Sequence, residues 1–596
     1  MKIVEKITKL IEDSLSKQGI DFKGLDIIIE IPNEPQNGEY STNIAMKLSS
    51  QLKRNPLEIA KDIVENIDED GDIEKIDFAK PGFINFHLSN RYFLTDLTKM
   101  VEGGDDYFKF NIKKDKEVVI EYTDANPFKE LHIGHLYSNN VGESFARLQE
   151  ALGADVKRAC YQGDVGLHVA KALWGLEKKL NEENISFEEI EELPLEQKVK
   201  YLGDAYVLGA EYYDELKDAS AIEEIVNINY YIFSLTLPSL EKKDFSKYEE
   251  INLSEKYQKG RQWCLDFFEK IYEKLGTKFD YYFFESEVGE AGLKIVLDNI
   301  GKIFEKDEGS VIYRGDEKKN LHTRVFINSH NLPTYEAKEI GLALRKSETL
   351  DFDESIVITA DEQSGYFRVV LDALSKIDPS LSEKTRHIAH GKVKLPGSIK
   401  MSSRKGGILA GEWLIEETQK RIIEIMRNNE NVDEDLLEEI SEKIAVGAIK
   451  YAFLKVGVGR DIVFDFDKSI TFDGDTGPYL MYVYSRCKSI LRDAESSDSG
   501  NICLDSCLSN PDIKRLVVDI SKYKTVLLDS ATNYSPSTLC QYLFDLGQSF
   551  NAFYQNVRIL DAQEEDKQIL LLIVEVTMKI MKNGLNNLGI DVVEKM

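Results

Sequence analysis

The sequence predicts an α/β protein in which a domain built on a parallel sheet stands between a small α+β unit and an all-helical C-terminal part. Three observations carry that reading. From Glu117 onward, short apolar runs alternate with amphipathic helices, the pattern of βαβ units. From Asp433 onward, helical periodicity replaces almost every strand signal. A chain of 596 residues is also too long for one hydrophobic core.

The first unit, residues 1–110, opens with a helix from Ile3 to Leu15, followed by a strand from Asp26 to Ile31. A turn rich in Pro, Asn and Gly leads into a helix containing Ile44, Ala45 and Leu48, and a later strand runs from Phe83 to Leu88 after Pro81-Gly82. Glu102-Gly103-Gly104-Asp105-Asp106 reads as a linker. The second unit, residues 111–415, begins with Val118-Val119-Ile120, an apolar run suited to a buried parallel strand. A loop with Asn126-Pro127 precedes a helix starting near His132, whose Val141, Phe145, Leu148 and Leu152 fall on one face. Gly153 is placed to end that helix in a left-handed conformation, and Val156–Tyr161 is the next strand. Further strands are expected at Val311–Tyr313, Thr323–Ile327 and Ile356–Thr359. The acidic helical stretch of about 171–275 reads as an insertion, and 416–596 as helical.

Composition excludes some classes. The most apolar stretch, Ile569–Met581, is interrupted by Glu575 and Lys579, so it reads as a buried helix rather than a membrane span. The N-terminus has acids among its apolar residues and is not a signal or transit peptide, so a cytoplasmic protein is expected. Six cysteines at no framework spacing point to reduced thiols, and Cys503/Cys507 lack a second ligand pair, so no structural metal is expected. Lys and Arg total 75 against 105 Asp and Glu, a net charge of −30. Taken alone this argues against a nucleic-acid partner. The acids crowd into stretches such as Asn181–Gln197 and Asp433–Glu442, however, and net charge does not describe a single groove.

Two motifs carry chemistry. Leu131-His132-Ile133-Gly134-His135-Leu136 lies at the βα junction, where a helix N-terminus offers free N–H groups to anions. His132 and His135 can donate to phosphates, and Gly134 lets a flat ligand approach the backbone. Alone, such a histidine pair is as readily a surface coincidence. The second motif, Lys400-Met401-Ser402-Ser403-Arg404-Lys405-Gly406-Gly407, has the cations, hydroxyls and glycines of a loop able to close over a triphosphate. Alone, it reads as an exposed basic loop.

In this order and context the two motifs resemble the signature pair of the class I aminoacyl-tRNA synthetases. The surrounding residues resemble the arginyl-tRNA synthetases in particular: Asn126-Pro127-Phe128-Lys129-Glu130-Leu131 before the first motif, Gly163-Asp164-Val165-Gly166-Leu167-His168, and His390-Gly391-Lys392-Val393. The resemblance extends to both ends, through Gly38-Glu39-Tyr40-Ser41-Thr42-Asn43-Ile44-Ala45, Pro81–Phe86, Asp475–Leu480 and Leu588-Gly589-Ile590. It implies a class I synthetase Rossmann-like catalytic domain, an N-terminal domain that contacts the tRNA elbow, and a helical anticodon-binding bundle.

The resemblance further implies ATP-dependent activation of L-arginine, with Mg²⁺ on the phosphates, transfer to tRNA(Arg), and adenylate formation that requires bound tRNA. A monomer is expected. His132, Gly134, His135, Lys400, Met401, Ser402, Ser403 and Arg404 would bind ATP, and His132, His135, Lys129, Lys400 and Lys405 would stabilise the transition state. Glu121, Asn126, Tyr335, Glu339 and Gln363 match the arginine pocket. Tyr335 and Glu339 lie one helical turn apart, and a guanidinium calls for carboxylates in a fork. Tyr479, Tyr482 and Arg486, beside Tyr484, are candidates for tRNA, although aromatics at helical spacing are more often core.

Three positions depart from the family's pattern. Glu339 stands where Asp is usual, Tyr137 where Arg is usual, and Ser403 where many synthetases carry a second lysine, for which Lys129 or Lys405 would substitute. A synthetase for another amino acid and a non-catalytic RNA-binding relative are the rival readings; intact His132, Gly134, His135 and Lys400 argue against the second.

Overall fold

In the computed structural model, residues 2–32, 34–241, 243–396, 410–427, 434–494 and 507–595 are described. The chain begins with an amphipathic helix, α1 (Lys2–Lys17), whose Ile3, Ile7, Ile11 and Leu15 recur every fourth residue and are all buried. A four-stranded antiparallel sheet follows, of β1 (Ile29–Glu30), β2 (Tyr40–Thr42), β3 (Ile73–Ala79) and β4 (Phe83–Leu88) in the order β1-β2-β4-β3. Helices α2 (Ile44–Leu52), α3 (Pro56–Glu65) and α4 (Asn90–Glu102) complete this unit. The strand expected over Asp26–Ile31 shrinks to two residues. Its partner β2 has only three, Thr42 Oγ1 ends the ladder on the Ile28 carbonyl at 2.7 Å, and Pro32 follows.

The expected linker at Glu102–Asp106 is not a free tether. Residues Gly104–Phe108 form a 3₁₀ turn, Phe108 is buried, and the Val101 and Tyr107 carbonyls accept from Lys579 and Lys524 of the C-terminal helices at 3.0 and 2.6 Å. Tyr107 and Phe108, just beyond the two aspartates, pull the segment onto the core.

The central strand β5 (Glu117–Glu121) is followed by α5 (Ile133–Ala151) and β6 (Asp155–Gln162). Val118, Val119 and Ile120 are at most 1 % exposed, and Val141, Phe145, Leu148 and Leu152 of the α5 segment at most 2 %. Gly153 has φ +93°, and a Cβ there would lie 2.6 Å from the Phe110 carbonyl oxygen, so glycine is required. Six helices then intervene: α6 (Leu167–Glu183), α7 (Phe187–Glu191), α8 (Leu195–Ala210), α9 (Ala219–Thr236), α10 (Ser246–Glu250) and α11 (Leu253–Lys274). After them come β7 (Tyr281–Phe284) and α12 (Glu285–Asp298).

Strands β8 (Glu305–Asp307), β9 (Ser310–Tyr313) and β10 (Arg324–Ile327) form a separate antiparallel sheet, so two of the strands expected between α/β helices leave the parallel sheet. A tight turn joins β8 to β9 and a ten-residue loop joins β9 to β10, connections short enough for antiparallel pairing. Helix α13 (Tyr335–Thr349), β11 (Glu354–Ala360), α14 (Ser364–Ile377), α15 (Pro379–Lys384) and β12 (Thr385–His390) return to the main sheet, whose order is β12-β11-β5-β6-β7, all parallel. From β5 the chain steps to one side through β6 and β7, then crosses to β11 on the other side. The carboxyl ends of β5 and β11 therefore flank a topological switch point, the crevice where open α/β sheets bind ligands.

Short β13 (Val393–Lys394) pairs in parallel with β14 (Ile462–Val463), a strand that the helical periodicity of the C-terminal part conceals. The remainder is helical: α16 (Gly411–Arg427), α17 (Glu434–Leu454), α18 (Phe466–Ser469), α19 (Gly477–Asp493), α20 (Pro511–Thr532), α21 (Pro536–Asn556) and α22 (Glu564–Asn587). Among the described residues, no helix is long and apolar enough to cross a membrane. The five described cysteines form no disulfide, and Cys503 lies outside the described residues.

Helix α5 is fastened along its length. The Tyr122 ring lies so close to Gly142 that a Cβ there would meet its Cγ at 2.1 Å. The Tyr122 hydroxyl donates to Glu143 at 2.7 Å, and Glu143 is held in turn by Arg147 and Arg158 at 2.7 and 3.0 Å. Farther along, Ser144 donates to the Asn587 carbonyl at 3.1 Å and Gln149 to the Ala531 carbonyl at 2.9 Å. Gly142→Ala should lower the unfolding free energy by about 1–3 kcal/mol through overpacking, read as a fall in the denaturant midpoint. An unchanged midpoint would refute the contact.

Candidate active site

The site is assembled by the turn between β5 and α5. Three non-glycine residues in it, Thr123, Asp124 and Phe128, have φ of 78°, 50° and 65°. Left-handed backbone costs roughly 1 kcal/mol or more at such residues, and the surroundings hold it in place. Thr123 N–H donates to Ser138 Oγ at 3.0 Å, Asn139 Nδ2 donates to Thr123 Oγ1 at 3.0 Å, and Tyr161 N–H donates to Asp124 Oδ1 at 2.8 Å. Asn126 Oδ1 accepts from Gly163 N–H at 2.9 Å, and a Cβ at Gly163 would lie 2.3 Å from that oxygen. The turn is thus tied to α5 on one side and to the end of β6 on the other.

At its close, His132 takes the N-cap position of α5 in an extended conformation. Its N–H donates to His135 Nδ1 at 3.1 Å, and the two rings stack with centroids 3.8 Å apart. Because Nδ1 of His135 accepts, its Nε2 carries the proton and is free to donate. Burial, reinforced by Lys129, pushes the His132 pKa down to about 4, and burial and His132 hold His135 well below the usual imidazole range. Both histidines are neutral donors at pH 7, not cations. Gly134 is needed for a different reason than expected: a Cβ would sit 2.8 Å from the His132 ring, so the glycine makes room for the stacked histidine.

Positive charge at the junction comes from Lys129. Its ammonium stands 5.5 Å from the Tyr206 ring centre with no carboxylate in ion-pair distance among the described residues, and burial followed by Lys171 lowers its pKa. Tyr137 supplies none. It is wholly buried between His390 and Phe453, at 4.7 and 5.5 Å between ring centres, and its hydroxyl has no partner among the described residues. Lys400, Met401, Ser402, Ser403, Arg404 and Lys405 lie outside the described residues.

Beside the histidines is a cleft with more carboxylates than cations. Glu285, at the start of α12, is paired with Lys338, both nearly inaccessible. Glu121, at the end of β5, is 1 % exposed and paired with Lys346 at 2.8 Å. Glu339, one turn into α13, has no hydrogen-bond or ion-pair partner among the described residues. Burial first, then Glu121, raises its pKa to about 8. A fourth acid, Asp124, lies within charge interaction of Glu121 and Glu339. Two ammoniums thus face four carboxylates.

The structure brings most of the expected pocket residues together, with two differences. Glu121 gives one oxygen, Oε2, to Lys346 at 2.8 Å, because at the end of a strand buried on both faces its carboxylate needs a counterion. Asn126 presents only its amide nitrogen, its oxygen being held by Gly163. Tyr335, 58 % exposed, begins α13 with its ring 4.4 Å from the Lys338 ammonium. Gln363 ends the 3₁₀ turn Asp361–Gln363 after β11, exposed on the rim. Asp124, Glu285, Lys338 and Lys346 were missed. The last two sit three residues after Tyr335 and seven after Glu339, on the same helix, and that spacing was the available signal.

In the helical part, Tyr479 is a correction. It is 6 % exposed, packs on Phe544 and accepts from Asn551 Nδ2 at 2.8 Å, so its ring is core and unavailable to a base. The Arg486 guanidinium is instead sandwiched between Tyr482 and Tyr554, 4.4 and 4.5 Å from the two ring centres, and Tyr554 is 40 % exposed.

Comparison with known proteins places these features. Residues 97–466 match the family model described as tRNA synthetases class I (R), catalytic domain; residues 5–88 match the arginyl tRNA synthetase N terminal domain, and 480–596 the DALR anticodon binding domain. The chain is 28 % identical over 594 residues to the arginine–tRNA ligase of Clostridium kluyveri, covering 99 % of both. It is 29 % identical over 572 residues to that of Fusobacterium nucleatum, covering 95 % of both. Its fold is that of the arginyl-tRNA synthetases of Thermus thermophilus (TM-score 0.77, 22 % identity, 99 % and 100 % coverage) and Plasmodium falciparum (0.75, 24 %, 100 % and 99 %).

The raised pKa of Glu339 gives a pH prediction. A guanidinium requires the ionised carboxylate, and desolvation with the neighbouring Glu121 favours its protonated form below about pH 8. The affinity for arginine should therefore rise with pH, by up to about tenfold per unit, and level off above pH 8. Calorimetric titrations across that range would show it; a flat profile would remove Glu339 from the site.

Proposed function

The chain belongs to the class I arginyl-tRNA synthetases, and on that premise we propose that it is a cytoplasmic, monomeric enzyme joining L-arginine to tRNA(Arg) with ATP. The observation that carries the substrate is the cleft's two unmatched carboxylates beside a helix N-terminus that bears neutral donors.

In the proposed reaction ATP, with Mg²⁺ on its phosphates, lies across the α5 N-terminus. The arginine carboxylate attacks the α-phosphorus and pyrophosphate leaves. A carboxylate nucleophile needs no general base, so positioning and charge stabilisation supply the rate. Neutral His132 and His135 donate hydrogen bonds to the developing phosphoryl charge without adding charge of their own. The cationic share falls to Lys129 and to Lys400, Arg404 and Lys405. The 2′-hydroxyl of the terminal adenosine of tRNA then attacks the arginyl carbonyl and AMP leaves. Glu339 takes the guanidinium, with Tyr335 and the Asn126 amide lining its path and Gln363 at the rim.

Residues 1–110 are assigned to the tRNA elbow, 111–415 to catalysis and 416–596 to the anticodon. Tyr482, Arg486 and Tyr554 form the surface offered to unpaired bases, since a guanidinium held between aromatic rings presents its edge for hydrogen bonding and its neighbours for stacking.

ATP–pyrophosphate exchange with single amino acids, with and without tRNA, tests the reading. Exchange with arginine is expected, and exchange with lysine or glutamate instead would overturn it. Glu339→Gln should raise the KM for arginine by about tenfold or more and leave that for ATP nearly unchanged; equal effects would refute the assignment. Arg486→Ala should raise the KM for tRNA by about tenfold while sparing both small substrates. An unchanged tRNA KM would place base contacts elsewhere.

A further inference from the structure

The helices inserted between β6 and β7 grip the turn between β5 and α5 at a point that the proposed reaction has not used. Phe128, the residue before Lys129, has left-handed backbone with φ 65°, which a bulky aromatic residue adopts only where its surroundings impose it. Those surroundings are on α11. Phe128 N–H donates to Cys264 Sγ at 3.2 Å, and its ring stacks on Tyr257 with centres 6.2 Å apart and planes 9° from parallel. Between these two contacts Gly260 leaves the gap that the ring fills. A Cβ there would lie 2.7 Å from Phe128 Cε1 and 3.3 Å from Cδ1 of Leu202 on α8. Tyr257, Gly260 and Cys264 recur at i, i+3 and i+7, so one stripe of α11 forms the socket. Phe128, Leu202 and Cys264 are each at most 1 % exposed.

The residue after Phe128 is the cation of the junction. The Lys129 ammonium lies within charge interaction of His132 and His135, and no carboxylate pairs with it among the described residues. It rests instead over the ring of Tyr206, one turn beyond Leu202 on α8. A ring face attracts a cation over a broad area, whereas a carboxylate would pin it by directed hydrogen bonds. The place of the ammonium is therefore decided one residue earlier, by the backbone of Phe128 that aims the chain.

We propose that the Tyr257, Gly260 and Cys264 face of α11 is a positioning element for the reaction: by seating Phe128 it sets where the Lys129 ammonium stands at the α5 N-terminus. This role rests on the reading of Lys129 as a group that stabilises the transition state. It makes the insertion, a stretch that looks in sequence like an addition to the α/β domain, part of the catalytic apparatus. A cation held in place in advance stabilises developing charge without reorganisation, and a displacement of about 1 Å can cost roughly a hundredfold in rate. Phe128 itself fills the socket, so losing the socket should appear in kcat rather than in the KM for arginine.

The test is ATP–pyrophosphate exchange with arginine in the presence of tRNA, measured on the full chain for wild type, Gly260→Ala, Lys129→Ala and the double variant. Gly260→Ala drives a methyl group into the Phe128 ring and should lower kcat about tenfold or more while leaving the KM for arginine nearly unchanged. In the Lys129→Ala background the same substitution should cost little further, since a socket that acts through Lys129 then has nothing left to place. Additive losses would overturn the proposal, and so would a Gly260→Ala enzyme with the kcat of wild type. Cys264→Ala and Cys264→Ser carry the test where Gly260→Ala does not fold. Alanine removes the acceptor of Phe128 N–H and should lower kcat several-fold, whereas serine keeps an acceptor there and should restore most of it. Equal rates for these two variants would overturn the proposal. A Lys129→Ala enzyme with the kcat of wild type would instead overturn the reading of Lys129 on which it rests.

Discussion

An imbalance of charge governs the cleft. Glu121, Asp124, Glu285 and Glu339 gather around two ammoniums, and the two pairs that form leave two acids over. Crowded carboxylates disfavour one another's ionisation, and desolvation with the neighbouring Glu121 raises the pKa of both Asp124 and Glu339.

The arrangement depends on backbone geometry that few residues adopt willingly. Asp124 enters the cleft because the turn after β5 is left-handed there, and the turn is left-handed because Ser138, Asn139 and the Tyr161 amide bind its groups. Those partners lie on α5 and β6, the two elements flanking the switch point of the sheet. Glycines act by absence at the same junction. Gly134 admits the His132 ring, Gly142 admits Tyr122, and Gly163 admits Asn126.

Much of this was legible in the sequence, and the failures have physical causes. Buried strand β5 and helix α5 were plain because apolar residues at their proper periods were not masked by other demands. The separate sheet of β8–β10 was not, since a short apolar run reads alike in parallel and antiparallel settings. Motif and resemblance located Glu339, Asn126 and the histidines. They did not disclose that Glu121 would be taken by Lys346 or that Asp124 would be left unmatched, because pairing among charges distant in the chain is a property of the fold. Tyr479 and Tyr482 looked equivalent on the page, yet one faces the core and the other carries Arg486.

Helix α5 also has a mechanical consequence. Its first turn holds the stacked histidines, while Ser144, Arg147 and Gln149, farther along, are bonded to the C-terminal helices at Asn586, Asn587 and Ala531. Lys450 completes the joint, buried against the Leu275 and Gly589 carbonyls at 2.5 Å each with its pKa lowered to about 8 by burial. A helix of 19 residues spans about 28 Å, and over that length it behaves as a gauge bar. The stacked histidines at one end and the C-terminal helices at the other are therefore held a fixed distance apart.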